Sequence, residues 1–411
     1  MRRLLNLEIK RVVSARSTWI LLVFLILVSA VMAYFPISFE NTYQVDEQGN
    51  VRELTGKEAI SYQKELEKEI SGEVTEEKIR KAILAFQECY REYGALFPPD
   101  VPTEVYADKI LPVYPILDIA ADMLAPEDVA IYNMTDADIA PEDAPRLYEE
   151  YRARMASKGK SEAEQEKIQE LIQAVKTPFT YEPGFAMASL EYLALYLLLM
   201  LLVFVVIFAP IFSAEYQTGA DSILRCTKYG RVHLAAAKIV TAVLIFGVTF
   251  LVGTGVFLAV TNLVFGTDGL KTSVQMLWTA FVIPALNVGQ MQMAVTAGGF
   301  LSILAMVSCT LFLSARCKNV QDTLKIALLL SILPMILYMI SSADWANLIR
   351  CVLPAGGIGL MNSFLYEVLG TEFMHIGPAV IWSPYFIIGA AAVEIPLFLG
   401  LTVRAYCRRE S

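Results

Sequence analysis

Side chains that commonly perform catalysis are sparse in this chain of 411 residues. It has two histidines, His233 and His375, in widely separated segments, so we expect neither a histidine-based zinc site nor a Ser-His-Asp triad. The segment Gly266–Thr272 contains two glycines and a lysine, but it lacks the Gly-Lys pair and the spacer of a phosphate-binding loop. The sequence therefore predicts that the chain is not an enzyme and that it holds no metal and no cofactor.

One carboxylate, Glu394, lies deep within a long apolar run, with Pro396 two residues later. An ionised group inside a bilayer costs several kcal/mol, so Glu394 should face protein, water or a partner. A proton relay usually needs several such groups. The sequence therefore leaves two roles open for Glu394, a structural hydrogen-bond acceptor and a residue of a transport path.

A second candidate site is the polar segment 213–238, which separates two apolar runs. It contains apolar residues at a turn where a bilayer does not require them, and Asp221 before Arg225 complements a helix dipole. A short helix of this kind can dock into a groove of a soluble partner and transmit rigid-body motion. The alternative is an ordinary basic loop held at lipid headgroups. The candidate contact residues are Glu215, Tyr216, Gly219, Ile223, Leu224, Lys228 and Arg231.

Composition indicates that membrane-spanning helices position these residues. The chain is 56% hydrophobic and 18% charged, which favours a membrane protein over a soluble one. A spanning helix needs about 20 predominantly apolar residues. Six runs meet or approach this requirement, at 19–35, about 190–212, about 235–265, about 295–313, about 326–340 and about 382–403. We therefore predict an all-α polytopic membrane protein with six transmembrane helices.

Lysine and arginine residues next to the runs predict the orientation of the chain. They cluster before the first run, between the second and third, between the fourth and fifth, and after the sixth: Arg2, Arg3, Lys10, Arg11 and Arg16; Arg225, Lys228, Arg231 and Lys238; Arg316, Lys318 and Lys325; Arg404, Arg408 and Arg409. These clusters share one side of the membrane if both termini are cytoplasmic. We therefore expect a multi-pass protein of the plasma membrane, bacterial by this reading.

The first 18 residues have an apolar face and a basic face, which predicts an amphipathic helix along the inner membrane surface. A signal peptide is the alternative for the first run, and its long structured leader favours an anchor.

Residues 36–188 form a large acidic insert between the first and second runs. The insert has 16 Lys/Arg against 31 Asp/Glu, whereas the rest of the chain has 17 against 11. Apolar residues at helical spacing predict two helix pairs, at about 59–93 and 147–175, with Ser161 and Glu164 as a capping box. The orientation makes the insert an extracytoplasmic helical domain. Its acidity argues against a nucleic-acid partner, and its role stays open between a binding platform and a solvated cap.

The segment from Phe212 to Leu224, continued to Lys238, resembles the cytoplasmic loop of ABC-2 type transporter permeases. There a Glu, a small Gly/Thr pair, two apolar residues and a basic residue precede the third span. The opening Glu8–Trp19 is similar to the elbow helix of that family, and Leu353–Gly357 is similar to its outer excursion before the last span. The resemblance covers the six-span core and not the acidic insert.

The resemblance implies a permease subunit of an ATP-binding cassette exporter. Its partners would be a separate ATPase, a second permease copy or a related permease, and the lipid membrane, and 213–238 would be its ATPase-coupling loop. The leading alternative is a membrane-bound sensor or assembly scaffold that uses the insert as its receptor. An ion-coupled carrier is less favoured, because such carriers usually have internal repeats and several buried charges.

Overall fold

The computed structural model describes residues 2–46, 50–227, 230–277 and 281–408, and it is mostly helical. In chain order the helices are α1 (Arg2–Val13), α2 (Arg16–Phe39), α3 (Gly56–Leu66), α4 (Glu76–Tyr93), α5 (Thr103–Val105), α6 (Tyr114–Leu124), α7 (Leu147–Ala156), α8 (Glu162–Gln173), α9 (Ala188–Phe208), α10 (Pro210–Thr218), α11 (Ala220–Arg225), α12 (Val232–Phe265), α13 (Val288–Arg316), α14 (Val320–Ile340), α15 (Asp344–Val352), α16 (Phe364–Leu369) and α17 (Ser383–Arg408). Single turns of 3-10 or π helix lie at Lys68–Ile70, Tyr106–Ile110, Leu111–Val113, Ile131–Asn133, Pro141–Arg146, Gly269–Lys271 and Val274–Met276.

Within the described ranges, six helices are long and apolar enough to cross a membrane, and they correspond to the six predicted runs. They are α2, α9 with its continuation α10, α12, α13, α14 and α17. This number of suitable helices indicates a multi-pass membrane protein. α9 and α13 are the most enclosed of the six, and α13 packs against α9, α14 and α17, while α2 packs against α12.

Several helices extend beyond the predicted runs because polar residues begin them. Asn287 caps α13, since its Oδ1 accepts a hydrogen bond from the Gln290 amide at 2.8 Å and its own amide donates to Gln290 Oε1 at 2.9 Å. Asn319 caps α14 in the same way, through the Asp322 amide at 2.8 Å. These caps satisfy amide groups that a helix start leaves free.

The region between α2 and α9 is helical as predicted, but it also contains strands. β1 (Asn41–Val45) and β2 (Val51–Thr55) form an antiparallel hairpin in which Asn41 faces Thr55. β3 (Gly72–Glu73) pairs with β4 (Thr180–Tyr181), and β5 (Phe373–Ile376) pairs with β6 (Ala379–Trp382) near the start of α17. The chain is therefore mostly helical, as predicted, and the described residues add three short two-stranded sheets to the helices.

The two predicted helix pairs of the insert are present as α3 with α4 and as α7 with α8. The capping box predicted at α8 is only half formed. Ser161 Oγ accepts a hydrogen bond from the Glu164 amide at 3.3 Å, but Glu164 Oε2 accepts from the Lys160 amide at 2.7 Å. The other oxygen of Glu164 lies 2.6 Å from His375 Nε2, so this residue connects the insert to the β5–β6 hairpin.

The insert, the described residues 266–277 and 281–287, and the segment 341–382 meet at one end of the helix bundle, here called the insert end. Tyr151 Oη donates to the Val282 carbonyl at 2.8 Å, and the Ser273 amide donates to the Thr180 carbonyl at 2.8 Å. Tyr151 is fully buried in this contact. The core of the insert is therefore completed by residues that follow α12.

The opposite end of the bundle, here called the corner end, is much smaller. It comprises α1, α10, α11 and the adjoining ends of α12, α13 and α17. Tyr406 Oη donates to the Gly230 carbonyl at 3.3 Å, and Arg225 donates to the Cys407 carbonyl at 3.4 Å. The segment 1–18, predicted as one amphipathic helix, is divided here, because α1 ends at Val13 and α2 already begins at Arg16.

Candidate functional site

The segment predicted to meet a partner forms a compact helical corner at the corner end of the bundle. α9 ends at Phe208, and α10 begins at Pro210 after the single residue Ala209. α10 ends at Thr218 and is capped by Gly219. Gly219 has a φ of 72°, in the left-handed region that glycine adopts without strain. α11 starts at the next residue, so Gly219 alone separates the two helices.

Ile223 is the most exposed apolar side chain of this corner, with 74% of its surface accessible. Leu224 was predicted to contact the partner together with Ile223, but it is half-buried and packs against the core. Gly219 and Arg231 are exposed, and the predicted contact Lys228 lies outside the described residues. The available surface is therefore narrower than the sequence indicated, with Ile223 at its centre.

Behind the corner lies a cluster of four charged side chains, Glu8, Arg11, Glu215 and Lys238, called here the corner cluster. The Lys238 side chain is 0% exposed, and its Nζ lies 2.5 Å from Glu215 Oε1 and 3.3 Å from Glu8 Oε2. Arg11 pairs with Glu215 and, at 2.9 Å, with Glu8. Two cations and two carboxylates balance, so the cluster is neutral as a whole.

Both cations of the corner cluster also bond the backbone at the end of α9. Arg11 Nη2 and Lys238 Nζ donate to the Ile211 carbonyl at 3.2 and 3.4 Å. These bonds join α1, α10 and α12 in one hydrogen-bonded unit. Removing one member of such a buried set leaves an uncompensated charge, which typically costs about 3–5 kcal/mol.

The expected role of Glu215 as a direct contact to a partner therefore needs correction. Glu215 is 6% exposed, and Oε1 is occupied by Lys238 and Arg11. A carboxylate held in this way positions the corner and does not meet a surface from outside. The prediction that the basic face of α1 lies toward headgroups needs the same correction at Arg11, which turns toward Glu215.

α13 supports the corner from a third direction. Ser314 Oγ accepts hydrogen bonds from the Phe212 and Ser213 amides at 3.0 and 3.1 Å and donates to the Ala209 carbonyl at 2.6 Å. The two amides belong to the first four residues of α10, where a helix supplies no carbonyl partner, and the Ala209 carbonyl also accepts from Ser213 Oγ at 2.7 Å. Tyr216, one of the predicted contact residues, is half-buried and donates from Oη to the Ala315 carbonyl at 3.2 Å.

Glu394, the other predicted site residue, lies within α17 and is half-exposed. In the part of the chain that the structure describes, its carboxylate has neither a hydrogen bond nor an ion pair. Its negative charge acts on the thiol of Cys309, on the neighbouring helix α13.

Buried acids at the insert end form a different environment. Burial raises the pKa of Glu67 to about 7, and Tyr181 Oη donates to Glu67 Oε2 at 2.6 Å, which opposes part of the rise. Burial, followed by the negative charge of Asp122, raises the pKa of Asp118 to about 6. These groups can therefore change protonation state near neutral pH.

Sequence reasoning did not find the corner cluster. Its members are distant in sequence and belong to three helices, and each has an ordinary reading alone, as a basic flank or a polar helix edge. The sequence did contain a signal. Glu8 and Arg11 are one helical turn apart before the first span, and Glu215 lies in the segment after the second span. No protein-family model, curated protein or solved structure matches the chain.

Proposed function

We propose that this chain is the permease subunit of an ATP-binding cassette exporter, which moves a substrate outward when a separate ATPase subunit hydrolyses ATP. The observation that carries the proposal is the corner itself. An exposed apolar residue, Ile223, lies on α11, and the adjoining helix α10 is bonded to α1, α12 and α13. A soluble partner that binds Ile223 and moves would move those helices as a unit.

Charge distribution supports the proposed orientation. The corner end has the basic flanks, including Arg11, Arg225 and Arg231, and the insert end has the acidic block. With the corner end in the cytoplasm, the corner faces the compartment that contains ATP, and the insert is extracytoplasmic. Both termini are then cytoplasmic, and the membrane is the plasma membrane.

A second permease, either another copy or a related chain, completes the proposed complex. Several spans retain large exposed apolar side chains, among them Trp19 and Phe24 of α2 and Val393 and Leu397 of α17. Lipid or a second permease can cover these faces. The half-buried Glu394 lies one helical turn before Leu397, on the same face of α17, so a partner on that face would meet a polar group.

The experiment that tests the proposal is a single substitution, Ile223→Asp, with the ATPase encoded beside the chain co-expressed. A charge at the centre of a buried contact should weaken association by several kcal/mol, so the ATPase should no longer co-purify. Because Ile223 is exposed and makes no core contact, expression and thermal unfolding should match the unmodified chain. Leu224 is left unchanged, since its substitution would also disturb the core.

Gln217→Asp is the matched control, because it adds the same charge at an exposed position of α10. It should retain more of the ATPase than Ile223→Asp does. If Ile223→Asp retains the ATPase and its full permease-stimulated hydrolysis, the corner is a headgroup anchor and the exporter proposal loses its support. Tight ligand binding by the insert, with no substrate movement in vesicles, would instead favour the sensor or scaffold.

A further inference from the structure

An apolar cavity of about 390 Å³ lies at the insert end, where α8 of the insert meets α13, α16 and α17. Its walls include Leu171, Ala297, Leu301, Phe364 and Ile388, and none of its described lining residues is charged. Its volume falls within the range of roughly 300–1,000 Å³ that is typical of small-molecule sites. We call this cavity the apolar chamber.

A smaller cavity of about 220 Å³, the polar vestibule, adjoins the apolar chamber. The two share Ala174, Ala285 and Leu286 as a common wall. The vestibule is lined by Lys176 and Lys271 and by polar side chains that include Ser273, Asn287 and Gln290. No Asp or Glu is among its described lining residues, although the surrounding insert is acidic.

One face of α13 runs through both cavities and changes from polar to apolar along its length. Asn287 and Gln290 line the vestibule, and Ala294, Ala297 and Leu301 line the chamber, at steps of three and four residues. The distance from the helix start to Leu301 is about 20 Å at 1.5 Å per residue. The pair of cavities is therefore elongated, with its polar part at the N-terminus of a helix.

From this arrangement we infer that the two cavities bind an anionic amphiphile with one hydrocarbon chain. The chain occupies the apolar chamber along α13, where it is removed from water at little cost in polar contacts. The anionic headgroup occupies the vestibule, where the positive charges of Lys176 and Lys271 favour an anion. The ion pairs that these lysines make with Glu73 and Asp268 are exposed, at 3.5 and 3.0 Å, and exposed pairs exchange readily for another anion.

Two aromatic residues place the chamber near an interface of the bilayer. Trp382 and Tyr385 line it and pack edge to face, with ring centroids 5.4 Å apart. Tryptophan and tyrosine prefer the boundary between hydrocarbon and water. The chamber is therefore expected to lie at the depth at which the headgroups of the adjacent leaflet begin. The inference is independent of the proposed function, because binding requires no ATPase.

The test uses the full chain in nanodiscs of zwitterionic phosphatidylcholine, with Trp382 as the reporter. The other three tryptophans, Trp19, Trp278 and Trp345, are changed to Phe, and dibrominated stearate is added as a quencher. Quenching of Trp382 should be saturable and should exceed that of a control chain that retains only Trp19, which is exposed on α2. Equal, non-saturating quenching of both would overturn the inference.

Two substitutions test the two parts of the site. Ala297→Phe fills the chamber and should abolish the saturable component, whereas Ala259→Phe, exposed on α12, should not. Lys176→Gln with Lys271→Gln should weaken stearate binding roughly tenfold. The control pair is Lys68→Gln with Lys81→Gln, two exposed lysines of the insert away from the vestibule, and it should have no effect.

The methyl ester of the same brominated chain separates charge from hydrophobicity. It should bind more weakly than stearate by a similar factor, and the vestibule lysines should not affect it. Equal affinity for the ester and the acid would overturn the anionic assignment. The two lysines are exposed, so their substitution should not disturb folding. The comparison of the ester with the acid therefore tests the anionic assignment even if Ala297→Phe does not fold.

Discussion

The two ends of the helix bundle bury carboxylates to the same degree and surround them differently. Glu215 at the corner end is 6% exposed and Glu67 at the insert end is 8% exposed. Glu215 meets two cations, Arg11 and Lys238. Glu67 meets the hydroxyl of Tyr181 and the negative charge of Glu40, and no described cation pairs with it.

This difference in partners gives the two ends different properties. The corner cluster is a fixed joint, meaning a contact held by paired charges, whereas the insert end responds to pH. Burial penalises the charged form of an acid, and only an opposite charge or hydrogen bonds offset the penalty. The corner cluster has that compensation, so its geometry depends on all four members remaining charged. Glu67 has only the hydrogen bond from Tyr181 and no described cation, so burial outweighs its compensation and the insert end changes charge near neutral pH. The first environment suits a contact with a fixed geometry, and the second suits a response to pH.

The largest expected effect is at the corner cluster. Lys238→Met should destabilise the chain by about 3–5 kcal/mol, because Glu215 and Glu8 would stay buried with one cation fewer. Thermal unfolding of the purified chain in detergent measures the change. The double variant Lys238→Met with Glu215→Gln should recover part of the loss, since Arg11 and Glu8 then remain as a balanced pair. A single variant as stable as the unmodified chain would show that the cluster is not a fixed joint.

The second prediction concerns pH and the insert end. The pKa of Glu67 is raised from 4.5 to about 7 on folding, so the folded chain retains a proton that the unfolded chain has lost. The free energy of unfolding should therefore fall as pH rises from about 4.5 to about 7, by up to about 3 kcal/mol. Below about 4.5 both states are protonated, and this contribution to stability is fully present.

Glu67→Gln should flatten the pH dependence while retaining an acceptor for Tyr181. Glu58→Gln, an exposed carboxylate of the same helix α3, should leave it unchanged. Thermal unfolding between these pH limits gives the comparison. If Glu67→Gln leaves the slope intact, then another insert group such as Asp118, with a pKa of about 6, is responsible.

The six spans could be predicted because long apolar runs leave few alternatives to a spanning helix. The first and last residues of the spans could be predicted less well from the sequence. The run predicted at 295–313 starts at Val288 in the structure, since the polar Gln292 is paired with Asn262 of α12 at 3.0 and 3.1 Å. A polar residue within a span is favourable only when it has a hydrogen-bonding partner, and a single sequence does not identify that partner.

The candidate site could be predicted in position and only partly in composition. The turn at Gly219 and the apolar Ile223 follow from local sequence. The inward orientation of Glu215 does not, because it depends on Arg11 and Lys238, of which Arg11 is 204 residues away. The two cavities of the insert end could not be predicted from the sequence for the same reason. Their walls come from distant parts of the chain, in α8, α13, α16 and α17.

The last and smallest predicted effect tests how the corner is joined to the rest of the bundle. Ser314→Ala should cost about 1–3 kcal/mol, because two buried amides, those of Phe212 and Ser213, lose their acceptor. Ser308→Ala is the matched control on the same helix. Ser308 is also buried, but its hydroxyl bonds only to the Leu304 carbonyl of its own helix, at 2.8 Å. Its loss should therefore cost less, because that carbonyl keeps its helical partner. Thermal unfolding of both variants measures the difference, and equal losses would mean that Ser314 fills space on α13 and does not hold α10 in place.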